Sequence, residues 1–374
     1  MEKRKNKVFF FVFAAFWVAL ILWNFLTPVK TFSEQENRTL ASWPDFSVPD
    51  LLDGDYMDGV NTFFNDQFAG KDMWISMQSL MEYGLGKREN NGVYIGKGAL
   101  LGALPKADKE ITEANIAGVN AFAAQYGIPT YIMLVPGSAS VQPENLPAFA
   151  DPWDEEGYIE GVNGRFAAGV TAVPVFNTLR SHSGEYIYYR TDHHWTTYGA
   201  WLAYGQLAAQ MGLPALQQQD FEITTLSTNF LGTYNSKTGF PLVEKDTIEL
   251  YQNGTATSYE VFNGLATQEY SSIYFEEFLS QKDKYSYFLG QVQPYVTIHT
   301  AATTGKKLIL FKDSYAHCLT PMLLNSYSEI RLVDLRYLSL ANVGEFLGAE
   351  NYDEALFLYS ADVFAHQETA AKLA

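Results

Sequence analysis

The chain has 374 residues, of which 47% are hydrophobic and 15% aromatic, so it can bury one large core or two modest ones and is not disordered by composition. A formal charge of −17 argues against a nucleic-acid partner, because an acidic surface is repelled by phosphate. The single cysteine, Cys318, excludes an intrachain disulfide.

In chain order, Lys3, Arg4, Lys5 and Lys7 precede an uncharged run from Val8 to Val29. Its 22 residues are enough to cross a bilayer as a helix, and the basic flank stays inside, which puts the bulk of the chain outside the cytoplasm. A cleaved signal peptide is the rival reading, and a buried soluble helix is a third. The run is long for a signal, however, and no small-x-small site precedes Pro28. The organisation read from this is a cytoplasmic flank and anchor over 1–29, a juxtamembrane tether over 30–50, and one catalytic domain over 51–374.

Residues 57–83 read as helical, with Phe63, Phe64, Phe68, Trp74, Ile75 and Met81 as packing residues. Gly92–Gly96 reads as a short strand between glycine turns. Ile116, Val119, Phe122 and Ala123 form a helical stripe within 111–125, with Gly127 as its stop. The apolar run Ile128–Val135 then predicts a central strand. This helix-then-buried-strand order is an α/β signature. It recurs in a helix over 200–211 and in strands over 307–311, 330–335 and 355–359, with helical material around 321–327 and 338–347. Residues 215–300 differ, being rich in Thr, Tyr, Gln and Gly with short alternating runs at 285–289 and 293–299. They read as a β-rich insertion that could frame a substrate groove.

Two segments carry chemistry. Asp192-His193-His194-Trp195 places a carboxylate, two imidazoles and an indole together in a chain with six histidines. The strand-like run Leu308–Phe311 ends near Ser314. Acyl transfer needs a nucleophile, a base and oxyanion donors. Asp192 and His194, two apart in an extended turn, face the same way, so Asp192 can orient His194 towards a serine. Thr196 or Thr197 would cap the helix that follows. The first amides of a helix opening at Ser314 would serve the oxyanion, although a serine there can act as a cap alone. Ser138 and Ser140, after the Ile128–Val135 strand, are lesser candidates because no histidine lies near them. A metal centre of Asp192, His193 and His194 with His317 or Asp313 is acceptable in ligand type. Adjacent histidines on extended backbone rarely reach one ion, and no H-E-x-x-H helix occurs. Around the three catalytic candidates, Arg190, His193, Trp195, Tyr315, Gly232 and Tyr234 are placed to touch substrate or support the reacting groups. The Gly232–Lys237 turn reads as an oxyanion contributor or a solvent-facing loop.

At these residues the chain resembles the DHHW family, named for the string at Asp192–Trp195, which is similar to the SGNH-hydrolase-like proteins that acetylate alginate. Phe32–Arg38, Phe64–Phe68 with Lys71-Asp72, Gly92–Gly96, Val135-Pro136, Leu146-Pro147, Lys312–Ala316 and Val333–Tyr337 resemble further family blocks, so the likeness spans nearly the whole chain. It implies an SGNH-hydrolase-like (flavodoxin-like) three-layer α/β fold: a parallel central sheet, reordered catalytic motifs and the β-rich insertion, after one N-terminal transmembrane helix. It also implies a triad of Asp192, His194 and Ser314, an acetyl-serine intermediate, a polysaccharide acceptor and a multipass membrane O-acyltransferase as donor partner. No cofactor is required beyond the acetyl donor. His193 stands where the alginate proteins commonly carry a small hydroxyl residue, so the polymer is not called alginate. A carbohydrate O-acetylesterase with the same triad and a non-catalytic envelope scaffold are the alternatives.

Overall fold

The structure is a computed structural model that describes residues 2–33, 35–36, 38–262, 267–338 and 348–374. The chain divides into two compact units, Met1–Gly86 with Thr238–Pro241, and Lys87–Lys237 with Leu242–Ala374.

The first unit begins with a helix over Glu2–Leu26, of which Lys5–Leu26 is long and apolar enough to cross a membrane and has none of its length buried. The helix stops before the end of the apolar run because Pro28 disfavours helical backbone at Thr27. The helix expected over 57–83 is two, Asp55–Asp66 and Lys71–Gly84, preceded by a short one at Val48–Asp53. Gly70 makes the break in a left-handed conformation (φ +67°), where a Cβ would also meet the Trp23 ring at 2.6 Å. Beside it, buried Asp66 accepts from Arg38 Nη1 (3.0 Å), Arg38 Nη2 (2.5 Å) and Ala41 N (2.8 Å), while Lys71 pairs with Glu36 (2.5 Å). The two sequence blocks around Arg38 and Asp66 thus fold as one ion-paired corner.

The second unit is built on an eight-stranded sheet. Its strands are β1 Thr130–Val135, β2 Val170–Ala172, β3 Ala256–Phe262, β4 Thr267–Tyr270, β5 Tyr295–Thr300, β6 Lys307–Lys312, β7 Glu329–Val333 and β8 Glu354–Ser360. They lie in the order β4-β3-β5-β7-β6-β8-β1-β2. The five strands from β7 to β2 are parallel, and β5, β3 and β4 extend the sheet antiparallel. Leu308–Phe311 of β6 and Ala355–Tyr359 of β8 are fully buried, as expected of strands covered on both faces.

The helix Lys109–Tyr126 is capped by Asp108 and ended by Gly127 (φ +64°), and it packs Phe122 against Phe311 (5.0 Å) and Phe357 (5.5 Å). The segment 215–300 is therefore only partly an insertion. Glu222–Phe230 and Asp246–Gln252 form a separate antiparallel pair, but β3, β4 and β5 belong to the main sheet. The run 285–289 begins as a 3-10 turn rather than a strand, and 321–327 holds a 3-10 turn at Thr320–Leu323. The helical material expected over 338–347 lies, beyond Leu338, outside the described residues.

Candidate active site

Ser314 follows β6 directly, at the carboxyl end of the parallel strands, where open α/β sheets bind their ligands. The helix expected to open there is a 3-10 turn, Ser314–Ala316, capped by Asp313. The Asp313 carboxylate accepts from Tyr315 N (2.9 Å), Ser360 N (2.7 Å) and Ser360 Oγ (2.8 Å), tying the end of β6 to the end of β8. The Tyr315 amide is thereby committed to Asp313 and does not serve an oxyanion.

The histidine segment is held as a loop closed by an antiparallel bridge between Tyr188 and Trp195. Trp195 is fully buried, and its Nε1 donates to the Tyr315 carbonyl (3.0 Å), so the indole braces the serine turn from behind. Thr196 caps the following helix, Thr197–Met211, by accepting from Gly199 N (3.1 Å). Within the loop Asp192 and His194 face the same way. Ser314 Oγ donates to His194 Nε2 at 2.7 Å, and His194 Nδ1 donates to Asp192 Oδ1 at 2.6 Å. A carboxylate only accepts, so Asp192 places the imidazole proton on Nδ1 and leaves the Nε2 lone pair for the serine.

Asp192 is 2% exposed and also accepts from His194 N (3.0 Å), Thr233 N (2.7 Å) and Thr233 Oγ1 (3.0 Å). Burial alone would raise its pKa, but His193, His194 and these donors hold it far below the carboxylate range. The turn carrying Thr233 comes this close because its neighbour is Gly232, where a Cβ would lie 2.3 Å from Asp192 Cβ and Oδ2. Gly232 and Thr233 thus hold the acid; the Thr233 amide is not an oxyanion donor. The Thr233 hydroxyl, donating to Asp192, accepts from His193 Nδ1 (2.7 Å), and the His193 carbonyl accepts from the Tyr315 hydroxyl. Burial and neighbouring His194 push the His193 pKa down to about 4, which keeps its cleft-facing ring neutral near pH 7.

A cleft of about 280 Å³ contains Ser314, His193, Tyr234, Tyr315, Arg336 and Glu155 in its walls. Neither Arg190 nor Trp195 lines it. Arg190 lies over the Tyr186 ring (4.4 Å) near Glu244 (3.7 Å) and Asp246 (3.9 Å), a structural network. Asp246 also accepts from Arg190 N, Thr191 N and Thr191 Oγ1, fixing the start of the histidine loop. Arg336 is paired with Asp334 (2.7 Å). Ser138 and Ser140 belong to a short helix after β1, and the adjacent Gly137 N donates to buried Glu155 (3.0 Å). The ligand-type atoms of Asp192, His193 and His194 do lie within 4.8 Å of one another. His194 has both ring nitrogens engaged, by Asp192 and Ser314, and Asp192 has both oxygens engaged, so a cation would have to displace these hydrogen bonds.

Tyr285, which opens the alternating run 285–289, carries no mark of a site residue in the sequence. Its ring stacks on His194 (3.9 Å, 15°) and its hydroxyl donates to the Ser314 carbonyl (3.1 Å). His317, a metal-ligand candidate in the sequence, instead forms a buried pair with Lys312 behind it, Nζ to Nε2 at 2.8 Å.

A family model described as DHHW protein matches residues 36–123 and 158–333. Among curated proteins, the probable alginate O-acetylase AlgJ of Azotobacter vinelandii is 26% identical over 218 residues, covering 56% of this chain and 53% of that protein. The protein of the same name in Pseudomonas fluorescens is 24% identical over 169 residues, covering 42% and 43%. The chain thus spans about half the length of the curated relatives it matches. Among solved structures, a DHHW family protein of Eubacterium siraeum superposes with a TM-score of 0.65 at 23% identity, over 75% of this chain and 97% of that one. Bacillus cereus PatB1 with a sulfonyl adduct gives 0.61 at 18%, over 72% and 94%. With its family match covering most of the chain and running through both Asp192–Trp195 and Ser314, the chain belongs to the DHHW family.

Proposed function

We propose that this protein is a membrane-anchored, extracytoplasmic O-acetyltransferase that modifies a cell-surface or secreted polysaccharide through Ser314, His194 and Asp192. The observation that carries the proposal is the continuous relay from Ser314 Oγ to His194 to Asp192, with Ser314 in a cleft wall. Its relatives' description as probable alginate O-acetylases supports the acetyl group and the polysaccharide class. Strand order supports the three-layer flavodoxin-like reading: the parallel strands lie β7-β6-β8-β1-β2, which is the doubly wound order 2-1-3-4-5 in circularly permuted form, with β6 counted as the first strand and β1 and β2 as the last two. Ser314, two residues beyond β6, and Ser360, the last residue of β8, then lie at the ends of the two strands that flank the switch point.

In the reaction, His194 Nε2 takes the Ser314 proton as Oγ attacks the acetyl carbonyl of a donor ester. The imidazolium, held by Asp192, returns that proton to the leaving oxygen, giving acetyl-Ser314. A sugar hydroxyl then loses its proton to His194 and attacks the acetyl carbon, and the proton returns to Ser314 Oγ as the sugar ester leaves. The Ser314 amide opens the turn and is the oxyanion donor we assign. A multipass membrane acyltransferase as donor, and retention of the N-terminal helix as the anchor, belong to the same proposal; the unburied apolar helix supports the second.

The test incubates the detergent-solubilised full chain with a chromogenic acetyl ester and cell-wall oligosaccharides, following intact mass and product. Acetyl on Ser314 that passes to glycan, absent in Ser314→Ala and His194→Ala, is expected. Serine-dependent release to water alone makes the protein an esterase, and folded protein that never acylates removes the enzymatic reading.

A further inference from the structure

Tyr285 touches the relay without belonging to it. The residue is 4% exposed and sits in a 3-10 turn, Lys284–Tyr287, that carries no recognisable motif. Its ring lies parallel to the His194 imidazole at 3.9 Å and 15°. The hydroxyl fixes the ring by donating to the Ser314 carbonyl (3.1 Å), with Cys318 Sγ 3.4 Å away. Burial pushes the phenol pKa well above its ordinary value, so the hydroxyl remains a donor throughout the working range. The ring is also parallel to that of His317, at 6.2 Å between centroids and 7°. That imidazole accepts from Lys312 Nζ at 2.8 Å, and burial together with the Lys312 cation keeps it neutral.

We propose that Tyr285 is a positioning residue of the acyl-transfer site, an aromatic platform that holds the His194 ring in the relay and stabilises the imidazolium formed when Ser314 loses its proton. This inference rests on the serine-relay reading. The physical reason is that an aromatic face attracts a cation, more strongly when both are desolvated. Each group around His194 has a separate task. Asp192 fixes Nδ1, Ser314 takes Nε2, and the rings of His193 (3.8 Å) and Tyr315 (5.2 Å) are tilted rather than parallel to it. His193 is held neutral near pH 7, so it brings no competing charge. Behind Tyr285, the one cation of the buried pair is directed at His317 and, at 4.0 Å, Asp334. Tyr285 is therefore the only parallel aromatic face on His194 among the described residues.

The experiment titrates the histidine side chains of the full chain in micelles by nitrogen-15 NMR, with His194→Gln assigning the resonance. Replacing Tyr285 by leucine should lower the pH at which His194 takes up a proton by about one unit, which is ~1.4 kcal/mol. Tyr285→Phe, which keeps the ring, should move it by less than about a third of that shift. Because leucine leaves space that could disturb folding, phenylalanine and pentafluorophenylalanine at 285 are also compared. They share a shape, but fluorination reverses the charge of the ring face, and the fluorinated ring should lower the His194 titration further. In turnover of a chromogenic acetyl ester, the leucine variant should lose about tenfold in kcat at unchanged KM, and its acid limb should move to lower pH. A His194 titration identical in the phenylalanine and pentafluorophenylalanine proteins overturns the inference. The titration is read without turnover, so an inactive wild-type protein would count against the acyl-transfer reading and leave this result interpretable.

Discussion

Replacing Asp192 by asparagine isolates the tautomer argument from the shape of the site. The carboxylate accepts four hydrogen bonds: Oδ1 from His194 N (3.0 Å) and Nδ1 (2.6 Å), Oδ2 from Thr233 N (2.7 Å) and Oγ1 (3.0 Å). An amide has one acceptor oxygen, so its NH2 must face one of the two backbone N–H groups. The Thr233 contact is closer than that of His194 N, and the imidazole can change tautomer whereas a backbone amide cannot. The NH2 therefore turns to His194 and donates to Nδ1, moving the ring proton to Nε2, where it faces the Ser314 hydroxyl. A wrong tautomer in an otherwise intact serine triad costs about 10⁴ in kcat, or ~5.4 kcal/mol at 1.36 per tenfold. The remaining buried donor mismatch costs about 1–3 kcal/mol of stability.

The assay is burst-phase acylation by a chromogenic acetyl ester, with denaturant unfolding alongside. Less than a tenfold loss in a folded Asp192→Asn protein would refute the reasoning, because the base would then not depend on its acid. The pH dependence has a definite sign. Asp192 is depressed in the folded state, so its contribution is fully present above the unfolded value near 4 and is lost as pH falls towards the lower folded value. The asparagine variant should lack that part of acid unfolding.

Glu155 has the opposite sign. Burial raises it to about 7 against the hydrogen bond from Gly137 N, so stability from this group is present below about pH 4.5 and lost as pH rises through about 7. That loss is about 3 kcal/mol, and Glu155→Gln, which can still accept from Gly137, should abolish it; equal pH slopes in urea unfolding would count against the burial argument. Gly232→Ala drives a methyl to 2.3 Å from Asp192. It should cost about 1–3 kcal/mol and reduce acylation, and a fully active, equally stable variant would show that the turn yields freely. Trp195→Phe keeps an aromatic ring but removes the donor to the Tyr315 carbonyl. A stability loss of about 1–3 kcal/mol with slower acylation is expected, and unchanged unfolding would mean the indole hydrogen bond is dispensable.

The parts of this protein that the sequence makes legible are those whose geometry is local. Asp192 and His194 share a face because they are two residues apart on extended backbone, and Ser314 follows a run apolar enough to be a central strand. What escapes the sequence depends on which distant surfaces meet. The alternation at 293–299 announces a strand but says nothing of its neighbours, and 256–262 and 267–270 carry no signal that separates them from the rest of 215–300, so strands of the main sheet read as an insertion. The apolar stripe continues across Gly70, whose left-handed backbone parts the two helices, and the sequence does not announce that the Trp23 ring leaves no room for a Cβ there. Gly232 looks like any turn glycine until Asp192 is placed 2.3 Å from its missing Cβ. Glu155 stands in the first turn of a helix, a common place for an exposed acid, and it is burial that changes its protonation. Tyr285 is the extreme case, one tyrosine among 24, meeting His194 through a stack that no periodicity encodes. The division is physical. A hydrogen-bonded pair within one loop is selected by chain geometry, whereas the groups that set its tautomer, field and solvent exclusion come from elements joined only by the sheet. The candidate reacting residues can therefore be read before the fold is known, but the reasons they would react cannot.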